Sequence, residues 1–262
     1  ADSLKEQIRQ AGNAAGRMEL RRMEDTMLWT AQNLMGTYDS LEAEQAAASA
    51  RAEAQKHLSE KVKDQEMLGS STSYHSQEAY QKWQSALNEY ERLKKEQERV
   101  RQELLLLTGF SPDSPVVLEK MPLPDVSRAT LVNPQEDRQQ ALGNNYELRS
   151  GRMGNAGSNQ ELHKKQRQTE LDENQMFASL ETLGDQIRSC QAEWEAACAK
   201  EQAQRAVWQS AVRKREQGTM AEGEYLEIYS QYMEEKGNQA QASIRFLLAM
   251  EEYDWAKKGL MD

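Results

Sequence analysis

The stretch Val212-Arg213-Lys214-Arg215-Glu216-Gln217-Gly218-Thr219-Met220-Ala221-Glu222-Gly223-Glu224-Tyr225-Leu226 decides the fold. Helical pattern runs into it, stops at Gly218-Thr219 and resumes at once, which predicts a tight turn between two antiparallel helices. Upstream, the pattern extends from Tyr146 to Gln217, and the glycines at 151, 154 and 157 predict a kink in its early part. Downstream, a helix carries Tyr225, Tyr229, Tyr232, Ala240, Ile244, Leu247 and Trp255 and ends at Gly259.

The first half of the chain reads the same way. Apolar residues recur at threes and fours from about Met18 to Leu68, through Met23, Met27, Ala31, Leu34, Tyr38 and Leu41, then Ala48, Ala52, Leu58 and Val62. Gly69-Ser70-Ser71-Thr72-Ser73 interrupts them. A return helix follows, with Tyr80, Trp83, Leu87, Tyr90, Leu93, Val100, Leu104 and Leu107 on its seam, and Thr108-Gly109 is its expected cap. Gly69 and Gly218 stand 149 residues apart, as do Tyr80 and Tyr229, and Leu34 and Leu183; Gly109 and Gly259 stand 150 apart. A turn and a stop shared at one offset indicate duplication of a whole hairpin.

The predicted plan is therefore all-α. Residues 1–109 form a first helical hairpin with its tip at 69–73, and residues 146–262 form a second with its tip at 218–221. An extended crossover spans 110–145. The five prolines all fall between Pro112 and Pro134, so the crossover reads as extended, with room for one short strand around Val116-Val117, and Asn133 is placed to cap a short helix. Residues 1–17, with Gly12 and Gly16, read either as a disordered lead or as the remnant of another helix. Two hairpins side by side make an elongated four-helix layer rather than a closed core, and oligomerisation is the natural way to cover what remains exposed.

Composition narrows the function. The 262 residues are 38% hydrophobic, 6% aromatic and 29% charged, with a formal net charge of −10. That is thin material for a compact core, and it suits long helices with narrow seams. The negative charge argues against nucleic acid or an anionic membrane as partner. No apolar run approaches the roughly 20 residues of a membrane helix, and the chain does not start with a basic-plus-apolar signal. Cys190 and Cys198 lie eight apart in helical sequence, about 12 Å, too far for a disulfide. His57, His75 and His163 have no metal-ligand spacing. No phosphate loop, nucleophile elbow or His-Glu-x-x-His is present. The chain is expected to be no enzyme and to need no cofactor. The tyrosines and Trp83 read as seam packing, the twelve methionines as gap-fillers, and Lys164-Lys165-Gln166-Arg167 and Arg213-Lys214-Arg215 as solvated faces.

Three passages carry a family resemblance. Val212–Leu226 is similar to the helix–Gly–Ser/Thr–helix turn of the TolC-like outer-membrane efflux proteins. Leu104–Leu107 running into Thr108-Gly109-Phe110-Ser111-Pro112-Asp113-Ser114-Pro115 resembles that family's exit from its first hairpin. Asn144-Asn145-Tyr146-Glu147-Leu148-Arg149 resembles the Asn-Pro-Glu-Leu-Arg that opens its second half, with Tyr146 in place of proline. The resemblance implies a helical tunnel component of a tripartite efflux or secretion system. Its expected partners are two further copies in a homotrimer, a hexameric adaptor protein and an inner-membrane transporter. The implied location is the cell envelope, periplasm or cell surface, after export. It implies that Gly69, Ser70, Ser71 and Thr72, with Gly218, Thr219 and Met220, form the adaptor-binding tips. The simpler reading is that any helical hairpin needs a glycine-containing turn.

Members that cross an outer membrane insert two strands into each half. Here no alternating segment of about ten residues is present, and the region between Leu148 and Leu183 reads as polar helix. The chain thus resembles a barrel-less relative without direct membrane insertion, suited to an envelope lacking an outer membrane or to a chain whose strands were removed. The alternative is a structural or scaffolding coiled-coil protein that mediates protein–protein interaction. It accounts for the composition but not for the shared turn.

Overall fold

The computed structural model describes residues 14–153 and 157–261. Its helices are α1 (Ala14–Met67), α2 (Ser73–Leu107), α3 (Val126–Thr130), α4 (Pro134–Asn144), α5 (Tyr146–Met153), α6 (Asn159–Glu216) and α7 (Glu222–Lys258). The described residues are 85% helical, and α1 with α2 and α6 with α7 form long antiparallel pairs, as the periodicity predicts. No strand is found among the described residues, so the crossover contains none around Val116-Val117. Gly16 lies inside α1, whereas Gly12 and Gly154 fall outside the described residues. The helix starting at Tyr146 is described as far as Met153, and Gly157 and Ser158 stand outside helix just before α6 begins at Asn159.

The chain packs as two compact units. The first comprises residues 34–123 and 192–245. Leu41 and Ala48 of α1 pack with Leu93 and Val100 of α2 in one cluster, flanked by Leu34, Tyr38 and Tyr90. The buried positions Ala79, Ala86, Leu93 and Val100 of α2 recur every seven residues, the spacing that keeps an apolar seam facing a partner helix. Small residues dominate the tip half of this seam (Ala52, Ser59, Ala79 and Ala86), and large ones the other half.

In the same unit α7 packs on α1. A Cβ at Gly237 would meet the Ala43 carbonyl oxygen at 3.3 Å, and one at Gly223 would meet the His57 ring at 3.2 Å. Arg51 pairs with Glu234 at 3.0 Å. Trp208 of α6 stacks on Tyr232 of α7, with ring centroids 4.7 Å apart. The packing thus runs α2, α1, α7, α6, and Tyr80 and Leu106 of α2 and Val207 of α6 remain exposed.

The crossover from Phe110 to Leu123 has no ladder partner. Arg101 holds it instead, donating to the carbonyls of Pro112, Ser114 and Val116. Further on, the Met121 N–H donates to the Asp39 carboxylate at 2.7 Å, and Lys120 pairs with Glu42 at 3.1 Å. Burial raises the Asp39 carboxyl above its ordinary value in spite of that N–H.

The second unit contains, among the described residues, 14–33, 124–153, 157–191 and 246–261. Phe246, Ala249, Met250, Tyr253 and Ala256 are all buried, and their threes-and-fours spacing makes one continuous apolar face on α7. Leu180 and Ile187 of α6 are equally buried. Asn133 caps α4 with Pro134 at its first turn, as the sequence predicts. The ring of Pro134 lies where a Cβ on Gly184 would be, 2.9 Å away, so this α6 position accepts only glycine without movement. Asn145 is buried, and its side-chain oxygen accepts from the N–H groups of Glu147 and Leu148, starting α5 as an N-cap.

Long-range polar contacts complete this unit. The Tyr146 hydroxyl donates to Asp25 at 2.6 Å and the Tyr253 hydroxyl to Asp137 at 2.8 Å. Arg128 pairs with both Glu251 and Asp254 at 2.8 Å. The Tyr146 N–H donates to the carbonyl of Gly259. Cys190 and Cys198 form no disulfide.

Candidate docking surface at the hairpin tips

The two turns share one backbone. Gly69 takes φ +73° and Gly218 φ +69°, the left-handed conformation that ends a helix at low cost only with glycine. The Gly69 N–H donates to the Glu66 carbonyl and the Gly218 N–H to the Arg215 carbonyl, both at 2.9 Å. The Ser70 N–H reaches the Gln65 carbonyl at 2.8 Å, and the Thr219 N–H reaches that of Lys214 at 2.9 Å. The hydroxyls of Ser70 and Thr219 donate to the same two carbonyls, each at 3.0 Å. Every member of one set stands 149 residues from its counterpart, so the duplication seen in the sequence is a duplication of geometry.

All seven tip residues read from the sequence lie in these two turns, between α1 and α2 and between α6 and α7. Their roles divide. Ser70 and Thr219 spend their hydroxyls on closing the helix before them, and Thr72 caps α2 by accepting from the His75 N–H. Ser71 and Met220 have no such local duty among the described contacts. A Cβ on Gly69 or Gly218 would meet nothing within 4 Å, so both glycines face open space.

The tips stand at one end of their unit but at different heights. Fourteen residues separate the two α1 contacts, His57 and Ala43, and fourteen separate their α7 partners, Gly223 and Gly237. The register is thus strict, and Gly218 falls level with Val62. The first tip projects about seven residues further, roughly 10 Å at 1.5 Å per residue.

Their chemistry differs too. The first tip exposes Met67, Leu68 and Tyr74, at 72%, 83% and 72% of their full surface. The second is charged, with Arg215 paired to Glu222 at 2.7 Å and stacked over Tyr225, and with Arg213 and Lys214 exposed. Met67, Leu68 and Tyr74 were not among the residues read from the sequence. The signal for them was three large apolar residues bracketing the turn, beyond the last paired seam position.

Among the described residues no group of His, Cys, Asp and Glu is arranged to hold a metal, and no helix is long and apolar enough to cross a membrane. No protein-family model and no curated protein sequence matches the chain. Solved structures do. The chain is similar to the outer-membrane channel OprN, with a TM-score of 0.55 at 14% identity, covering 94% of this chain and 68% of that one. It is similar to the outer membrane protein VceC of Vibrio cholerae, with a TM-score of 0.57 at 13% identity over 94% of this chain and 72% of that one. Against CusC, described as forming a transmembrane channel, the TM-score is 0.63 at 12% identity, over 98% of this chain and 83% of that one. The likeness is one of fold: across most of the chain the structure is similar to TolC-like outer-membrane channels.

Proposed function

We propose that this chain is the helical tunnel component of a tripartite efflux or secretion system. Three copies assemble into the tunnel, their paired tips dock on a hexameric adaptor, and an inner-membrane transporter supplies the exported substrate. The chain does so in the cell envelope without a membrane β-barrel of its own. The observation that carries this reading is the pair of tips with one backbone geometry, both ending in open space, on a fold similar to outer-membrane channels. Repetition of the tip geometry at an offset of 149 residues suits a partner that presents equivalent sites around a ring. The exposed Tyr80, Leu106 and Val207 on α2 and α6 suit closure against further copies.

Light scattering coupled to size exclusion tests the assembly. Three times the 30.0 kDa chain mass is the expected species. A monomer at every concentration would sink the self-assembling tunnel and favour the scaffold reading. Ser71→Arg combined with Met220→Arg should leave that mass unchanged and abolish co-purification with an envelope adaptor.

A further inference from the structure

The unit that includes residues 14–33, 157–191 and 246–261 holds a cavity of about 660 Å³ lined by α1, α6, α7 and the two residues after Gly259. That volume lies in the range that accommodates small organic ligands. Its apolar lining comes from Met23, Met27, Trp29, Leu183, Trp255 and Met261. Met23 and Met27 lie on the repeating seam of the sequence, yet they are 39% and 44% exposed because the cavity takes the place of a packing partner. Trp255 is held in place, since its indole N–H donates to the Gln32 side-chain oxygen at 2.6 Å. Its ring already accepts a cation, the Lys258 ammonium 4.1 Å from the centroid.

One carboxylate on α7, that of Glu252, lines the same cavity. No hydrogen bond or ion pair to it is found among the described contacts. Arg22 also lines the cavity but pairs with Glu147 at 3.4 Å, and the nearby Lys258 lies over the Trp255 ring. Burial alone pushes the Glu252 carboxyl above its ordinary value, with no neighbouring charge contributing. A carboxylate against indole and thioether walls, without a countercharge, is costly to keep ionised. An entering cation would relieve that cost. Glu19 also lines the cavity, so the cavity's two carboxylates outnumber the single guanidinium of Arg22 and disfavour anions.

We infer that this cavity binds a small amphiphilic organic cation, its charge met by Glu252 and its apolar body by Trp29, Trp255 and the methionines. Indole faces attract organic cations, and flexible thioethers adapt to irregular apolar bodies. Among the described residues no three His, Cys, Asp or Glu side chains are grouped here to hold a metal ion. The inference needs only the geometry of this unit and stands or falls independently of the tunnel proposal.

Calorimetric titration of the full chain with tetraphenylphosphonium, beside its near-isosteric anion tetraphenylborate, tests it. Saturable binding of the cation at one site per chain is expected. Glu252→Gln, with helix content confirmed by circular dichroism, should weaken the cation about tenfold or more and leave the anion unchanged or tighter. Trp29→Ala should weaken the cation as well. Equal affinity of wild type and Glu252→Gln for the cation would overturn the proposal, as would the absence of saturable binding. If Met23→Ala changes the solution mass while the cation fails to bind, the cavity is a seam between copies and the proposal falls.

Discussion

Gly259→Ala should be far more damaging than Gly109→Ala, although the two glycines are counterparts in the duplicated sequence. Both have positive φ, +107° at Gly259 and +84° at Gly109. Imposing such a conformation on alanine costs on the order of 1 kcal/mol at either site. The surroundings then separate them. A Cβ at Gly109 meets nothing within 4 Å, while one at Gly259 would collide with the Asn144 carbonyl oxygen and lie 2.6 Å from its carbon. Those are backbone atoms, so relief requires moving the end of α4 away from the end of α7. That motion breaks the Tyr146 N–H bond to the Gly259 carbonyl and the Asn144 side-chain bond to the Lys257 carbonyl. Each contributes about 1 kcal/mol net. The expected cost is about 3–4 kcal/mol for Gly259→Ala and about 1 kcal/mol for Gly109→Ala. Urea unfolding followed by tryptophan fluorescence reports on it, because Trp255 lies in the same unit as Gly259. Costs equal to within about 0.5 kcal/mol would refute the contact argument.

Three further outcomes are expected. Tyr146→Pro, which installs the residue common in the resembling family, should destabilise by about 2 kcal/mol or more because both the N–H to Gly259 and the hydroxyl to Asp25 are lost; an unchanged urea midpoint would show that neither bond matters. Burial, reinforced by Asp25, pushes the Tyr146 hydroxyl up to about 12. A folded-state value above the unfolded value of about 10 gives stability that is present below pH 10 and lost as pH rises toward 12. Tyr146→Phe should therefore flatten the fall in melting temperature across that window, and parallel profiles for the two proteins would exclude the effect. Arg101→Ala releases the carbonyls of Pro112, Ser114 and Val116, so limited proteolysis should cut the 110–123 segment faster while α2 keeps its helicity; unchanged cleavage would mean the Asp39 and Glu42 contacts hold the segment alone.

The long helices, their turns and the duplication were legible because each rests on local signals: threes-and-fours periodicity, a glycine in open space, a cap residue at the right distance. Asn133, Thr108-Gly109 and Gly259 all sit where the sequence places them. The tip residues were legible as turns, but the sequence could not show that Ser70, Thr219 and Thr72 use their hydroxyls on their own helices. Nor could it show that the first tip projects further, since that depends on the register of α7 against α1, set by Gly237 and Gly223. Met23 and Met27 belong to the periodic seam, yet periodicity does not reveal whether a partner helix covers that stretch. Glu252 looked like one more acid among many, and only its neighbours in space single it out.

Tyr146 shows how a departure from a family pattern acquires a reason. At the first position of a helix a proline is well accommodated, because its missing N–H has no intrahelical partner. Here that N–H has one outside the helix, the Gly259 carbonyl, 113 residues further on. Asn145 still performs the capping that the pattern requires of asparagine. Asn145 thus does a local job while Tyr146 does a long-range one, tying the start of the second sequence half to its end. Asp25, reached by the tyrosine hydroxyl, adds the first helix to the same point. Three segments distant in sequence converge on a single residue, through its backbone N–H and its side-chain hydroxyl. A local reading therefore scores Tyr146 as a mismatch, whereas the folded chain uses it as a clasp.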